Sequence, residues 1–328
     1  MLLSICIPTF NRKNYLHRCL ISIINQIEEL ELESHIDICV SDNDSNDGTF
    51  EMIENIRLQT NVTINYKQQK FNIGAPRNFI ESVNISSSKY VWLMGSDDYV
   101  AENSLLHVFS LISESSYDIV LGDRFNLNKY RDVKKVEYWS NSNRSSYVSL
   151  DSLSNYMDSC NSLGGVFSYI SVIIFRRELW INIIKNYNKI DVYFDSPYVH
   201  VYILLAIVKN NSHFFYLNFP IVCNQKYNDS FLENGYFNRI LIDYEYLEIF
   251  DFIFGEENDF KESLLKLLKR ERGLLHLLKA KVFITEKDQL QSFLNFVRLQ
   301  YNLKFLFIVR FMPVSIIKLL IKIKDFLP

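Results

Sequence analysis

Residues 89–98, Lys89-Tyr90-Val91-Trp92-Leu93-Met94-Gly95-Ser96-Asp97-Asp98, run from a continuous apolar stretch straight into two adjacent carboxylates. Such a run reads as a buried strand. It places Asp97 and Asp98 at the strand's carboxyl end, where open α/β sheets receive their ligands. Read alone, the pair serves either a divalent cation or a turn that caps a helix expected over 102–113.

Upstream, a strand, loop and helix recur. The run Leu2 to Ile7 is stopped by Pro8, and Leu16, Leu20, Ile23 and Ile24 repeat at helical spacing. His35 to Ser41 reads as a second strand, Asp42 to Thr49 as a polar loop, and Phe50, Ile53 and Ile56 as a helix face. A third strand at 62–67 leads through Asn72-Ile73-Gly74-Ala75-Pro76-Arg77-Asn78 into a helix at 77–86. Alternation at this spacing predicts an α/β fold, a parallel sheet with helices on both faces. The loops that leave its strands share one edge, so their polar residues converge.

Four segments, Ser4-Ile5-Cys6-Ile7-Pro8-Thr9-Phe10-Asn11-Arg12, Val40-Ser41-Asp42-Asn43-Asp44, Asn72 to Asn78 and Trp92 to Asp98, stand in a telling order and spacing. They resemble the nucleotide-sugar-binding half of family-2 glycosyltransferases, the Rossmann-like A-type fold, and look closest to the bacterial abequosyltransferase-like branch that builds O-antigen. The resemblance covers about residues 1–125 strongly and 160–210 weakly. It implies that Pro8, Thr9 and Arg12 pack on the nucleotide base and that Asp42 accepts a base N–H, with Asn43 where many relatives carry a second Asp. It implies further that Gly74 and Arg77 lie close to the pyrophosphate, an Arg being suited to bidentate phosphate contact. Relatives commonly show Asp-x-Asp-Asp, whereas this chain has Gly95-Ser96-Asp97-Asp98. Ser96 and Asp97 then fall at the donor, and Asp97 and Asp98 at Mn²⁺ or Mg²⁺, which takes one or two carboxylates plus substrate phosphates.

Beyond Asp123-Arg124 the pattern turns Asn-, Ser- and Tyr-rich to about residue 150, an irregular excursion of the lid kind. Leu163-Gly164-Gly165 then enters an apolar strand that ends near Arg176, the glycines serving close backbone approach or an ordinary turn. Transfer to a hydroxyl needs a general base, and the segment Tyr193 to Ala206 offers His200, which falls on the family's usual base position, or Asp195 one turn upstream. Imidazole has the better intrinsic pKa, yet a lone His in an apolar helix also suits a core, and Asp195 before Ser196-Pro197 also suits a helix start. The organisation reads as a donor half at 1–125, an acceptor half at 126–220 and a helical region at 221–328, with Asn224, Gln225, Lys226 and Tyr227 as further candidates for phosphate or sugar contact.

A chain of 328 residues can bury a sizeable core, and a net charge of −3 argues against general nucleic-acid binding. Cys6, Cys19, Cys39, Cys160 and Cys223 show no paired spacing, which fits a reducing cytoplasm. Met1-Leu2-Leu3 runs into the first strand, so no signal peptide is expected, nor is a spanning helix. From Leu303 to Pro328 apolar clusters alternate with Lys304, Arg310, Lys318, Lys322 and Lys324 against Asp325 alone. That composition fits the inner face of the cytoplasmic membrane, and equally a terminal helix packed on its own domain. Together with the family resemblance these readings imply a metal-dependent glycosyltransferase, and the resemblance itself implies inversion. Its donor would be a UDP-, dTDP- or CDP-linked sugar, of the deoxy- or dideoxyhexose kind. Its acceptor would be a polyprenyl-diphosphate-linked glycan. The alternatives are a sugar nucleotidyltransferase, against which the lack of a Gly-rich loop after strand one speaks, and a non-catalytic scaffold of the same fold.

Overall fold

The computed structural model describes all residues except 128–133, 187–189, 211, 225–234, 257 and 327–328. The chain opens as β1 (Leu3–Thr9), α1 (Lys13–Glu29), β2 (Ile36–Asp42), α2 (Thr49–Arg57), β3 (Ile64–Gln68), α3 (Ala75–Ile85) and β4 (Tyr90–Leu93). β1, β2 and β4 are buried along their whole length, as continuous apolar runs demand of strands covered on both faces. The four strands are parallel in the order β3-β2-β1-β4. The chain steps one way from β1 to β3 and then reverses to reach β4. Right-handed crossovers therefore put α1 and α2 on one face and α3 on the other, and a crevice opens between β1 and β4. Pro8 stays within β1 yet costs no ladder bond to β4, because the β1–β4 pairing ends at Cys6 and Leu93.

The parallel arrangement ends there. β5 (Tyr99–Val100), α4 (Ser104–Glu114), β6 (Ile119–Leu127), β7 (Lys134–Glu137), β8 (Ser146–Val148), α5 (Leu153–Ser159), β9 (Ile173–Arg176), α6 (Arg177–Asn186), α7 (Val199–Lys209) and β10 (Phe214–Asn224) follow. β9 enters antiparallel between β4 and β6, and β10 lies parallel to β6. The excursion after Asp123 is less irregular than its composition suggests: β7 pairs with β6 and β8 with β10. β10 runs on to Asn224, past the start expected at 221 for the helical region. Pro220 withholds one N–H, and the register with β6 shifts on either side of it. The boundaries expected at 125/126 and 220/221 fall inside β6 and β10. Gly164 and Gly165 serve close approach, since a Cβ on Gly164 would lie 2.3 Å from the Trp139 ring and one on Gly165 2.5 Å from Cys160 Sγ.

Contacts divide the chain into two compact units, Met1–Asn228 and Asp229–Pro328. The second is helical: α8 (Tyr236–Phe254), α9 (Lys261–Glu271), α10 (Leu274–Phe283), α11 (Lys287–Gln300), α12 (Leu303–Phe311) and α13 (Val314–Phe326). Its core includes Asp243, a buried carboxylate held by Arg239 one turn earlier in α8 and by Arg272. Charge pairing of this kind is what burial of an Asp requires.

Candidate active site

Three loops meet at the carboxyl ends of β1, β2 and β3, and asparagines knit them. The Asn11 N–H donates to Ser45 Oγ at 2.8 Å, and the Asn46 N–H donates to Asn11 Oδ1 at 2.9 Å. Asn43 donates to Asn72 Oδ1 at 2.8 Å and accepts the Ile73 N–H at 2.8 Å. Asn78 donates to the carbonyls of Thr9 and Ser41 and accepts the Ser41 hydroxyl at 2.7 Å. Gly74, at φ +85°, makes the turn into α3 that a side chain would strain, and Pro76 follows in the helix's first turn. Asp42 is enclosed: Oδ1 accepts the Ser45 N–H at 2.9 Å and Oδ2 the Tyr66 hydroxyl at 2.6 Å. Burial, with Asp42 as the hydrogen-bond acceptor, pushes the Tyr66 phenol well up. Asp42, Asn43 and Gly74, expected at the donor, thus shape the loops first. Pro8 and Thr9 are buried beside them, and the Thr9 hydroxyl has no partner among the described residues.

The two carboxylates after β4 lie in different surroundings. Asp97 keeps 24% of its side chain exposed and accepts from the Arg12 guanidinium at 2.7 Å. Asp98 is 4% exposed, and its Oδ2 takes the Tyr169 hydroxyl at 2.5 Å together with the Ser171 hydroxyl. Ser171 Oγ also accepts the Gly95 N–H at 2.9 Å, while its carbonyl accepts Trp92 Nε1–H at 2.8 Å. Burial and the neighbouring Asp97 charge raise the Asp98 carboxyl to about 7, against the pull of its two hydroxyl donors. The Arg124 guanidinium lies over the Tyr169 ring, 4.2 Å from its centroid, and pairs with Glu137. A Cβ at Gly95 would lie 3.1 Å from both Asp97 Oδ1 and Ser171 Oγ, so the site is crowded where relatives carry a first Asp. Ser96 is buried as well. Asp98 caps no helix, the capping position before α4 being Asn103.

On the other side of the crevice Arg77, from the first turn of α3, meets Asp195. Its Nε and Nη2 donate to the two carboxylate oxygens at 2.8 and 3.1 Å, a fork that holds the Asp195 carboxyl below its ordinary range. The Phe194 ring lies 5.9 Å from the same guanidinium. His200, one of the two candidate bases, lies in the interior. α7 is apolar and buried from Val199 to Val208, His200 is 2% exposed, and its nearest ring neighbours are Phe79 and Tyr198. Burial drives the imidazole down to about 3, with only the Phe167 carbonyl acting the other way. Asn224 ends β10 and donates to Asn126, whereas Gln225, Lys226 and Tyr227 lie outside the described residues.

Among the described residues no three His, Cys, Asp or Glu side chains are grouped to hold a cation. The donor set nonetheless fits one of the phosphate-bridging kind. Asp97 offers one accessible carboxylate, and a magnesium-like ion needs one or two such groups beside substrate phosphates and water. Asp98 is instead a buried anchor for the loop. Tyr169, Ser171 and Arg124 are the residues that motif reading did not single out. Their one visible signal was a hydroxyl at every second position, Tyr169 and Ser171, on the way into an apolar strand.

The chain matches the family model described as glycosyl transferase family 2 over residues 4–173. It is 35% identical over 304 residues to abequosyltransferase RfbV of Salmonella typhimurium, spanning 90% of this chain and 88% of that protein. Its structure is similar to that of S. aureus TarS residues 1–349 in complex with UDP, with a TM-score of 0.62 and 18% identity over 94% of this chain and 87% of that one. It is also similar to a mannosyltransferase of Pyrobaculum calidifontis in complex with GDP-Man and Mn²⁺, with a TM-score of 0.53, 11% identity, and 94% and 85% of the two chains covered. The last two likenesses concern the fold alone.

Proposed function

This chain belongs to glycosyl transferase family 2, close to its O-antigen branch, and from that membership we propose a particular reaction. A sugar of the deoxy- or dideoxyhexose kind moves from a nucleoside-diphosphate donor to a hydroxyl of a polyprenyl-diphosphate-linked glycan, at the inner face of the cytoplasmic membrane. One observation carries the donor side: Asp97 and Arg12 stand together, partly exposed, between the ends of β1 and β4, where the sheet order reverses. The abequosyltransferase likeness supports the sugar class.

Pro8 and Thr9, buried at the end of β1, back the loop on which the base packs. Arg12 and Arg77 draw in the diphosphate, whose charge they match. Mn²⁺ or Mg²⁺, when bound, supplies Lewis-acid stabilisation of the departing diphosphate, and Asp97 would hold it. The acceptor hydroxyl attacks the anomeric carbon opposite the leaving group, and inversion follows from that single displacement. Asp195 is better placed than His200 to take the hydroxyl proton, because it stands exposed at the mouth while His200 is enclosed among apolar side chains. The phosphates compete for Arg77 and so release the carboxylate to act.

Turnover of a nucleotide-sugar panel, with and without Mn²⁺, tests this reading in the wild type and in Asp97→Asn. The expected result is divalent-dependent transfer that falls about a hundredfold or more in the variant, as losing one charge-stabilising contact implies. Full metal-dependent activity in Asp97→Asn would remove Asp97 from its role. Nucleotide binding by the wild type without any turnover would sink the enzymatic assignment of substrates.

A further inference from the structure

The strongest feature outside the crevice lies at the end of the second unit. Between Leu303 and Lys324 the sequence carries five cations and no acid. Pro313 breaks this stretch into α12 and α13, with Met312 extended before it as the proline requires. Along α12 the spacing of four brings Leu303, Phe307 and Phe311 onto one face, and they are 76%, 64% and 61% exposed. The rings of Phe307 and Phe311 lie 4.8 Å apart. The same helix buries Val309 and stacks Phe305 on Tyr301. α13 repeats the division, burying Ile317 and exposing Ile316, Leu319 and Leu320.

This is no fraying tail. Lys281, from α10, reaches the turn and donates from Nζ to the carbonyls of Val309, Arg310 and Met312 at 2.7, 3.0 and 2.9 Å. It thereby satisfies carbonyls that the end of α12 leaves without helical partners. A fixed pair of helices therefore presents a large apolar face to water, bordered by Lys304, Arg310 and Lys318, all exposed.

We propose that α12 and α13 form an interfacial docking element for an anionic bilayer. Leu303, Phe307, Phe311 and Leu319 enter the boundary between headgroups and acyl chains, while Lys304, Arg310 and Lys318 meet lipid phosphates. Charge selects this occupant. A second copy of the chain would set cations against cations with no acid in the stretch to answer them, whereas an anionic leaflet neutralises them. A lipid-linked acceptor gives the docking a purpose, but the docking stands on this surface alone.

Co-sedimentation of the full chain with phosphatidylcholine vesicles, with and without phosphatidylglycerol, tests it. Binding is expected only where the anionic lipid is present, weakened by salt, and reduced about tenfold or more in Phe307→Ser/Phe311→Ser and in Lys304→Ser/Arg310→Ser. Thermal unfolding and turnover of a soluble acceptor analogue should match the wild type in both variants. Equal binding to neutral and anionic vesicles, undiminished binding in the variants, or a self-association that the variants abolish would each overturn the proposal. Vesicle binding without any sugar transfer would leave it standing and count against the substrate reading instead.

Discussion

Asp97 and Asp98 are chemically identical neighbours, and their surroundings divide the work between them. Asp97 faces solvent and Arg12, while Asp98 is closed in by two hydroxyls from the segment that enters β9. The motif alone indicated that a carboxylate matters here; it could not show which one is buried, since Tyr169 and Ser171 lie more than seventy residues away in sequence. Removing the Ser171 hydroxyl should leave the buried Gly95 N–H without its acceptor, at about 1–3 kcal/mol, and leave Asp98 Oδ2 with Tyr169 as its remaining hydroxyl donor. Ser171→Ala is therefore expected to lower the melting temperature and to raise the Mn²⁺ concentration needed for half-maximal transfer, because the Asp97 loop loses its brace. Tyr169→Phe should do the same more weakly, as Ser171 still holds Asp98. A Ser171→Ala enzyme with unchanged metal dependence would reduce Ser171 to a packing residue.

At the scale of elements, the first four strands were readable because each is a continuous apolar run followed by polar loop and amphipathic helix. β9 gave no such cue to its direction. Its sequence is as apolar as β4's, and direction is set by the long excursion through β6, β7 and α5 that precedes it. β10 escaped notice because Pro220 and its many aromatics blur the period of two. The contact between α3 and the 193–198 segment was equally hidden, although both partners had been singled out for other reasons. Arg77 and Asp195 form a closed fork, so on the proposed reading donor phosphate and Asp195 compete for one guanidinium. Asp195→Asn should then tighten nucleoside-diphosphate binding a few-fold, within what exposed ion pairs contribute, while slowing sugar transfer strongly. Isothermal titration against turnover separates the two effects. Weaker nucleotide binding in that variant would show that Asp195 merely orders Arg77.

At the scale of the whole molecule, acidity acts on stability through a group that no catalytic argument needs. Asp123, fully buried in β6, accepts the Trp139 N–H at 2.8 Å and the Tyr216 hydroxyl at 2.9 Å, and so pins β7 and β10 to the middle of the sheet. Burial raises its carboxyl to about 7, with Glu137 adding to the rise and its two donors opposing it. An unfolded Asp titrates near about 3.9. Between about pH 4 and pH 7 the native state thus holds a proton that the unfolded chain has lost, and stability falls as pH rises through that window. The slope from this one group is at most about 1.4 kcal/mol per pH unit, and above the window the loss is constant. Asp123→Asn removes the titration but keeps an oxygen for the Trp139 N–H and an amide for the Tyr216 oxygen. Its melting temperature, compared with wild type, should improve from about pH 5 to about pH 8, since the neutral amide escapes the cost of a buried charge. A difference that stays flat across that range would mean that Asp123 is already ionised at the low end, and that the Tyr216 and Trp139 donors outweigh burial.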